Sequence, residues 1–415
     1  MPKRKKEKIK KGRNARQRRP KEKVITYFDY NMLAVVIILI SFGLVMLYSA
    51  SAYEAVNDIN IGDDMYYFKR QAFFSVFALF IAYVVSRIDY HIPIMLSPAI
   101  FIVAMALMTA VQTPLGVTVN GARRWLKIGV QFQPSEIAKI AIICIMPYIV
   151  LRVGKKLRSW KAVAVLVSVG LLQGGGAYFL TDNLSTGLII MGISVIVLYL
   201  AYPKSKPFYI ALAAAITAIT LGVLYIDKTM QNSDRFRLQR IITWLHPEKN
   251  AQDGGYQVLQ GLYAIGSGGF FGKGLGNSTQ KLATIPEAQN DMIFSIVCEE
   301  LGVFGAVILL ILFGYLLYRL VFIAQNAPDL YGTLLVAGIF GHVSLQVILN
   351  ICVVLNLIPT TGVTLPFVSY GGTSVIFLMG EIGMALNVSR NISFGEKKET
   401  AAGKPKAFDK TQVNN

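Results

Sequence analysis

The sequence predicts an all-α fold, a polytopic integral membrane bundle of about ten transmembrane helices with one large extracytoplasmic loop. Three observations predict it. The 415 residues are 54% hydrophobic and only 15% charged, a balance that one water-soluble core buries badly and a bundle in lipid accommodates. The apolar residues come in runs of roughly 18 to 25, and lipid offers backbone N–H and C=O groups no partners, so each run reads as a helix. The cations are also clustered: of 41 Lys and Arg, 13 lie within residues 1–23.

That clustering decides what the net charge of +18 means. Nucleic-acid binding asks for basic residues spread over a folded face, and none is expected here. Residues 1–26 read instead as a disordered basic tail against anionic cytoplasmic lipid. A basic start before an apolar run could be a signal peptide, but the run has full span length and lacks a small-residue cleavage site, so it is expected to stay as the first helix.

The spans fall near residues 28–50, 67–86, 92–111, 134–151, 162–180, 184–202, 208–226, 291–318, 331–355 and 372–390. Together they define one membrane domain, 27–393, followed by a disordered cytoplasmic tail, 394–415. Gly174-Gly175-Gly176 is expected to interrupt the fifth span, and Thr181-Asp182-Asn183 suits a tight outer hairpin before the sixth. With both termini in the cytoplasm, 28 of the 41 Lys and Arg fall in inner segments, the arrangement that the positive-inside bias favours. Residues 112–133, 227–290 and 356–371 are then the long outer segments. The stretch 227–290 is too long for a connector and is expected to fold over the mouth of the bundle. No internal repeat is visible, which weakens an inverted-repeat transporter reading. Cys144, Cys298 and Cys352 sit inside apolar runs and read as packing residues, and His91, His246 and His342 lack ligand spacing for zinc.

Three places carry charges that a membrane protein could have avoided. Asn120-Gly121-Ala122-Arg123-Arg124-Trp125-Leu126-Lys127 puts three cations outside, against the bias. Arg123 and Lys127 beside Trp suit a phosphate group at the interface, and ordinary headgroup snorkelling is the plainer reading. Pro134-Ser135-Glu136-Ile137-Ala138-Lys139 opens the fourth helix, with Glu136 and Lys139 on one face at i, i+3. Such a pair fixes packing, faces a wet cavity, or does both. Asp291 stands at the mouth of the eighth helix, with Glu299 and Glu300 about two turns deeper. The three carboxylates suit a base or metal-binding constellation, and Asp291 alone suits a plain N-cap. The outer loop adds Arg235, Arg237, Arg240 and a glycine-rich run, 266–274. That run fails the phosphate-loop pattern at positions 267 and 274, so its glycines are expected to let backbone turn beside helices or a ligand.

NGARRW, QPSEIAK, GGYQ, AIGSGGFFGKG, PEAQNDMIFS with EELG, and TGVTLPFVSYGGTS occur in an order and spacing that resemble the SEDS family of peptidoglycan glycosyltransferases. The resemblance runs from Asp29 to Arg390. Asp182 to Gly187, Thr360-Thr361-Gly362 and Gly380-Glu381 resemble its division branch, FtsW, more than its elongation branch, RodA, with a sporulation paralogue as the remaining reading.

The resemblance implies a polymerase of lipid II, the undecaprenyl-pyrophosphate-linked precursor, in the bacterial cytoplasmic membrane. It also implies a class B penicillin-binding protein and other divisome proteins as partners. Asp291 corresponds to the family's catalytic acid, and Glu136 and Lys139 to a pair the family places in a central cavity. Gln289 and Asn290 stand where many relatives carry His and Thr, which argues against a proton shuttle there.

Expected chemistry is inverting transfer to a β-1,4 glycan, with Asp291 as base on the acceptor hydroxyl and Arg123, Lys127 and Lys139 on the pyrophosphate. Glu136 orients Lys139, and Glu299 and Glu300 are assigned to substrate binding. A Mg2+ or Mn2+ ion would make Asp291 a ligand instead of a base, and the residues leave that choice open. No organic cofactor is expected. The rival classes are a lipid II flippase, which moves the lipid and makes no glycan, and a scaffold that only docks the penicillin-binding protein.

Overall fold

A computed structural model describes residues 27–393 apart from 60, 120, 230–235, 251–254 and 283–284. The tails read at 1–26 and 394–415, and Arg235, lie outside the described residues. The helices are α1 (Tyr30–Asn57), α2 (Tyr66–Arg87), α3 (His91–Ala110), α4 (Pro134–Val153), α5 (Trp160–Leu180), α6 (Leu184–Ala201) and α7 (Lys206–Thr229). They continue as α8 (Phe236–Leu245), α9 (Gly255–Gly268), α10 (Ile293–Asn326), α11 (Leu330–Val354) and α12 (Ser374–Arg390).

Among the described residues, nine helices are long and apolar enough to span a membrane. The tenth predicted span is α12, which has 17 residues and packs along α2. The centre of the bundle is α11, with 72% of its span buried, against none for α7, which stands at the rim. Helices α1 and α10 run on to Asn57 and Asn326, past the predicted ends at 50 and 318. Hydropathy falls at those ends, but the residues there still form helix, and only the lipid-crossing part was legible as a span. At the end of the bundle that holds both described chain termini, the Asp29 carboxylate caps α1 by accepting from the Met32 N–H at 2.9 Å and pairs with Arg319 Nη2 of α10 at 2.7 Å.

The three glycines at 174–176 do not interrupt α5, which is continuous through them. Their role is close approach: a Cβ on Gly174 would lie 3.1 Å from the Gly187 carbonyl of α6, and one on Gly176 would meet the Met105 and Met108 side chains of α3. Small residues at such crossings let helices pack without a hydrophobic drive from the lipid.

The outer segment 112–133 holds a feature that the span reading did not predict, an antiparallel meander of β1 (Gly116–Val119), β2 (Ala122–Ile128) and β3 (Val130–Phe132). Its signals are in the sequence: an Asn-Gly pair, β-branched residues on either side, and glycines 121 and 129, both at positive φ. Register slips between Val117 and Thr118, which oppose Trp125 and Arg123, so Arg124 is the extra residue of a β-bulge.

The loop at 227–290 contains α8 and α9 and carries the glycine-rich run alongside α10. Gly302 breaks α10 at φ 67°, and residues 269–274 supply the hydrogen bonds that the break removes. Lys273 and Gly274 N–H groups donate to the Glu299 and Glu300 carbonyls at 2.9 Å, and Val303 and Phe304 donate back to Gly269 and Phe270 at 3.0 Å. Irregular backbone beside a spanning helix is tolerated only with such mutual satisfaction.

Both sides of this clasp need glycine. A Cβ on Gly302 would lie 2.4 Å from the Gly272 nitrogen, and one on Gly272, at φ 80°, would lie 2.2 Å from the Glu300 carbonyl oxygen. Gly302→Ala is therefore expected to cost at least about 1–3 kcal/mol from backbone strain alone. Thermal unfolding of the variant in detergent checks this, and an unchanged midpoint would refute the clasp.

Candidate functional site

The predicted outer ends of the helices enclose a cavity of about 750 Å³, floored by α4, α6 and α11 and walled by β2, α8, α9 and the segment 360–374. Helices α4, α6, α10 and α12 all begin at it: Gln133, Asn183, Asp291 and Thr373 line it, each within two residues of a helix start. Four helix starts aim N–H groups and positive dipole ends at one space, an environment that favours anions. Arg70, Arg124, Lys139 and Arg240 add cations, and Glu136, Glu287 and Asp291 are the carboxylates.

Glu136 and Lys139 meet as the spacing predicts, Nζ to Oε1 at 2.8 Å, with side chains 11% and 3% exposed. The two readings of the pair coexist, since it is buried and also lines the cavity. The first turn of α4 presents both charges inward because residues at i and i+3 share a face.

Asp291 borders the same cavity. The plain N-cap reading does not hold, because Met292 takes that position and no side chain caps the helix. The carboxylate accepts from Gln257 Nε2 of α9 at 3.4 Å, and its own backbone carbonyl accepts from Asn350 Nδ2 of α11 at 2.8 Å. Burial, with Glu287 nearby, pushes the Asp291 carboxyl pKa up to about 6, against the opposing pull of its own backbone N–H, Arg240 and Gln257. A carboxylate so placed changes protonation near neutral pH, as a base requires.

The cations differ from those expected. Arg123 donates from Nη2 to the Thr113 carbonyl at 2.6 Å, Lys127 is exposed, and neither borders the cavity. The bulge brings Arg124 there instead, its Nε donating to the Asp182 carbonyl at 3.2 Å. Arg240 of α8 reaches the same wall, with Nη1 3.5 Å from the Thr360 carbonyl. Burial lowers the pKa of both guanidiniums, and for Arg124 the like charge of Arg240 adds to it. They remain charged, because an arginine stays protonated in proteins.

Glu299 and Glu300 do not join Asp291. Glu299 accepts from Lys273 Nζ at 2.7 Å, from the Thr279 N–H and hydroxyl, and from Ser278 Oγ. Glu300 accepts from Ser49 Oγ at 2.7 Å and Lys281 Nζ at 2.8 Å. Both carboxylates are fully buried under the glycine-rich segment and hold it to α10. Neither borders the cavity, and their acceptor positions already serve that clamp. As for the expected divalent ion, no group of three or more His, Cys, Asp or Glu gathers among the described residues. That donor set makes no all-protein cage, and an ion here would need Asp291 together with phosphate oxygens of a substrate.

Sequence reasoning passed over Gln257, Gln346 and Asn350. The last two did leave a signal: His342, Gln346 and Asn350 repeat at i, i+4, i+8 within a span, a polar stripe that lipid would penalise unless it faced protein. All three are buried.

The comparisons agree with this architecture. The FtsW/RodA/SpoVE family, described as cell cycle proteins, matches residues 29–393, and the chain belongs to that family. Stage V sporulation protein E of Bacillus subtilis is 34% identical over 87% of this chain and 97% of its own. A protein of Thioalkalivibrio sulfidiphilus named "Probable peptidoglycan glycosyltransferase FtsW" is 36% identical over 87% and 89%. Among solved structures, a peptidoglycan synthase complex that coordinates polymerization and crosslinking contains a chain that aligns at a TM-score of 0.71. It has 26% identity and covers 88% of this chain and 98% of its own. The rod shape determining protein RodA of Thermus thermophilus aligns at 0.64, with 25% identity over 89% and 98%.

The Glu136–Lys139 pair yields a stability prediction. Glu136→Gln strands the buried Lys139 charge and is expected to cost about 3 kcal/mol, with Lys139→Met costing a similar amount. The double variant should recover most of the loss. Denaturant or thermal unfolding of the three variants reads this, and additive losses would contradict it.

Proposed function

We propose that the chain is a peptidoglycan glycosyltransferase that polymerises lipid II into β-1,4 glycan strands at the outer face of the cytoplasmic membrane, with Asp291 as the base. The observation that carries this reading is Asp291 itself. It is a carboxylate whose pKa is pushed up to about 6, in a cavity whose other charged groups and four helix starts suit a diphosphate. Relatives named as glycosyltransferases at 34–36% identity support the reaction class.

In this mechanism the acceptor O–H bond breaks as its oxygen attacks C1 of the donor sugar, and the proton passes to Asp291. The C1–O bond to the diphosphate breaks on the opposite face, inverting an α-linked donor to a β product. Arg124, Arg240 and Lys139 take up the charge that develops on the leaving diphosphate, and Glu136 orients Lys139. Arg124 and Arg240 replace Arg123 and Lys127 in this role. No step runs through a metal ion.

The Lys and Arg bias supports cytoplasmic termini and an outward-facing cavity. The solved synthase complex, which joins polymerization to crosslinking, supports a class B penicillin-binding protein as partner, with other divisome proteins around it. The division role rests on the motifs at 182–187, 360–362 and 380–381. Identity does not separate the branches, since the sporulation relative and several FtsW relatives stand alike at 34%.

Purified protein, with and without its partner, given labelled lipid II and read on a gel for glycan strands, tests the reading. Asp291→Asn is expected to lower synthesis by ~100-fold or more while the protein stays folded. Wild-type synthesis should fall about tenfold per pH unit below pH 6, because the base must be ionised before it can accept a proton. Undiminished synthesis by Asp291→Asn would remove Asp291 from the mechanism, and lipid movement without glycan would make the protein a transporter.

A further inference from the structure

Asn350 is fully buried on α11, one turn beyond Gln346 on the same face. Its Nδ2 donates twice, to the Asp291 carbonyl at 2.8 Å and to the Val363 carbonyl at 2.7 Å. One amide thus uses both of its hydrogens to tie the turn before α10 to the segment 360–365. Gln346 completes the attachment by donating from Nε2 to the Thr364 carbonyl at 3.0 Å.

The Asp291 side chain has little hold of its own. Among the described residues it takes one side-chain hydrogen bond, from Gln257 at 3.4 Å, longer than a well-formed bond of that type. Its position is therefore inherited from its backbone. Gly362, at φ 61°, stands on the opposite wall, where an added Cβ would make only ordinary contact with Asp291 Oδ2 at 3.8 Å. Among the described residues, Asn350 Oδ1 is buried without a partner. A residue kept for packing alone would be better as Leu, which has no acceptor to leave unmet. The two N–H donations are what the residue supplies.

We infer that Asn350 is a positioning residue for the proposed reaction: its amide fixes the Asp291 main chain against residues 362–364 and so sets where the carboxylate stands over bound substrate. The inference rests on the reading of Asp291 as the base. Released from Asn350, the turn loosens, the carboxylate moves away from the reacting hydroxyl, and water reaches it.

The test uses the full chain with its partner and labelled lipid II. Asn350→Leu and Asn350→Ala both delete the donors without adding a charge, and Asn350→His returns one N–H. Each variant is first checked for cooperative unfolding, and rates are normalised to folded protein. The first two are expected to lose kcat by ~100-fold with KM within about twofold, since a misplacement of about 1 Å can cost that much. Their acid limb should move to lower pH as the carboxylate gains water. The other charged groups around it, Glu287 on its own turn, Arg240 from α8, and Arg70, Arg124, Glu136 and Lys139 across the cavity, are the same in every variant. Asn350→His should fall between the wild type and these two.

A fall in rate that disappears on normalising to folded protein, with the acid limb unmoved, would overturn the inference and leave a purely structural staple. If one donor-deleted variant fails to fold, the other carries the test. If Asp291→Asn is inactive while the Asn350 variants keep the wild-type kcat and pH profile, this inference alone fails. If Asp291→Asn stays active, the reading of the base fails first.

Discussion

The structure depends on the absence of water around its backbone and charges within the bilayer. In lipid an unpaired N–H, C=O or carboxylate finds no solvent, so each must meet a partner inside the protein or face a wet space. The break in α10 at Gly302 shows the rule for backbone, because the segment 269–274 restores both directions of hydrogen bonding there. Asp29 with Arg319 and Glu300 with Lys281 show it for charge, each pair buried at 2.7–2.8 Å.

The same rule sorts the charges by role. Asp29, Glu299 and Glu300 each have acceptor positions filled by a cation, with capping N–H or hydroxyl donors in support, and their work is to hold helices and loop together. His342 and Glu381 form another enclosed pair, Nδ1 to Oε2 at 2.7 Å between α11 and α12. Asp291 differs: among the described residues its carboxylate has a single weak side-chain donor, and it opens on the cavity. Spacing along the chain could not separate these cases, because Asp291, Glu299 and Glu300 lie on one stretch of ten residues. The partners that divide them come from positions 257, 273, 278 and 281, and from Ser49 at the other end of the chain.

What was legible in the sequence follows from what lipid imposes directly. Span length and apolarity are one-dimensional properties, so ten helices were readable within a few residues at most ends, and so was the Glu136–Lys139 pair, whose geometry is local to one helical turn. The meander at 116–132 was missed because a short amphipathic hairpin carries no span signal, although its Asn-Gly turn was in view. That Arg124 rather than Arg123 borders the cavity has a sharper reason: strand alternation assigns faces only when register is known, and the bulge shifts that register by one residue. Asn350 could be read as a costly residue in a span, but what it holds lies 59 and 13 residues away.

On the proposed reading, in which the cavity takes a diphosphate and Asp291 is the base, the cavity has to satisfy two demands that oppose each other. Cations that draw in a diphosphate also stabilise a carboxylate as its anion, and an Asp pinned beside an Arg has too low an affinity for protons to act as a base. The fold separates the two by partner. Arg124 is turned toward the Asp182 carbonyl and Arg240 toward Thr360, Lys139 is committed to Glu136, and burial at the start of α10 outweighs the pull of Arg240 on Asp291. Neutral carbonyls and one sacrificial carboxylate thus absorb the reach of the cations while leaving their charge in the cavity. A basic acid and an anion-binding wall can then share one space of about 750 Å³, provided the backbone of Asp291 is held by something uncharged, and an asparagine amide meets that condition.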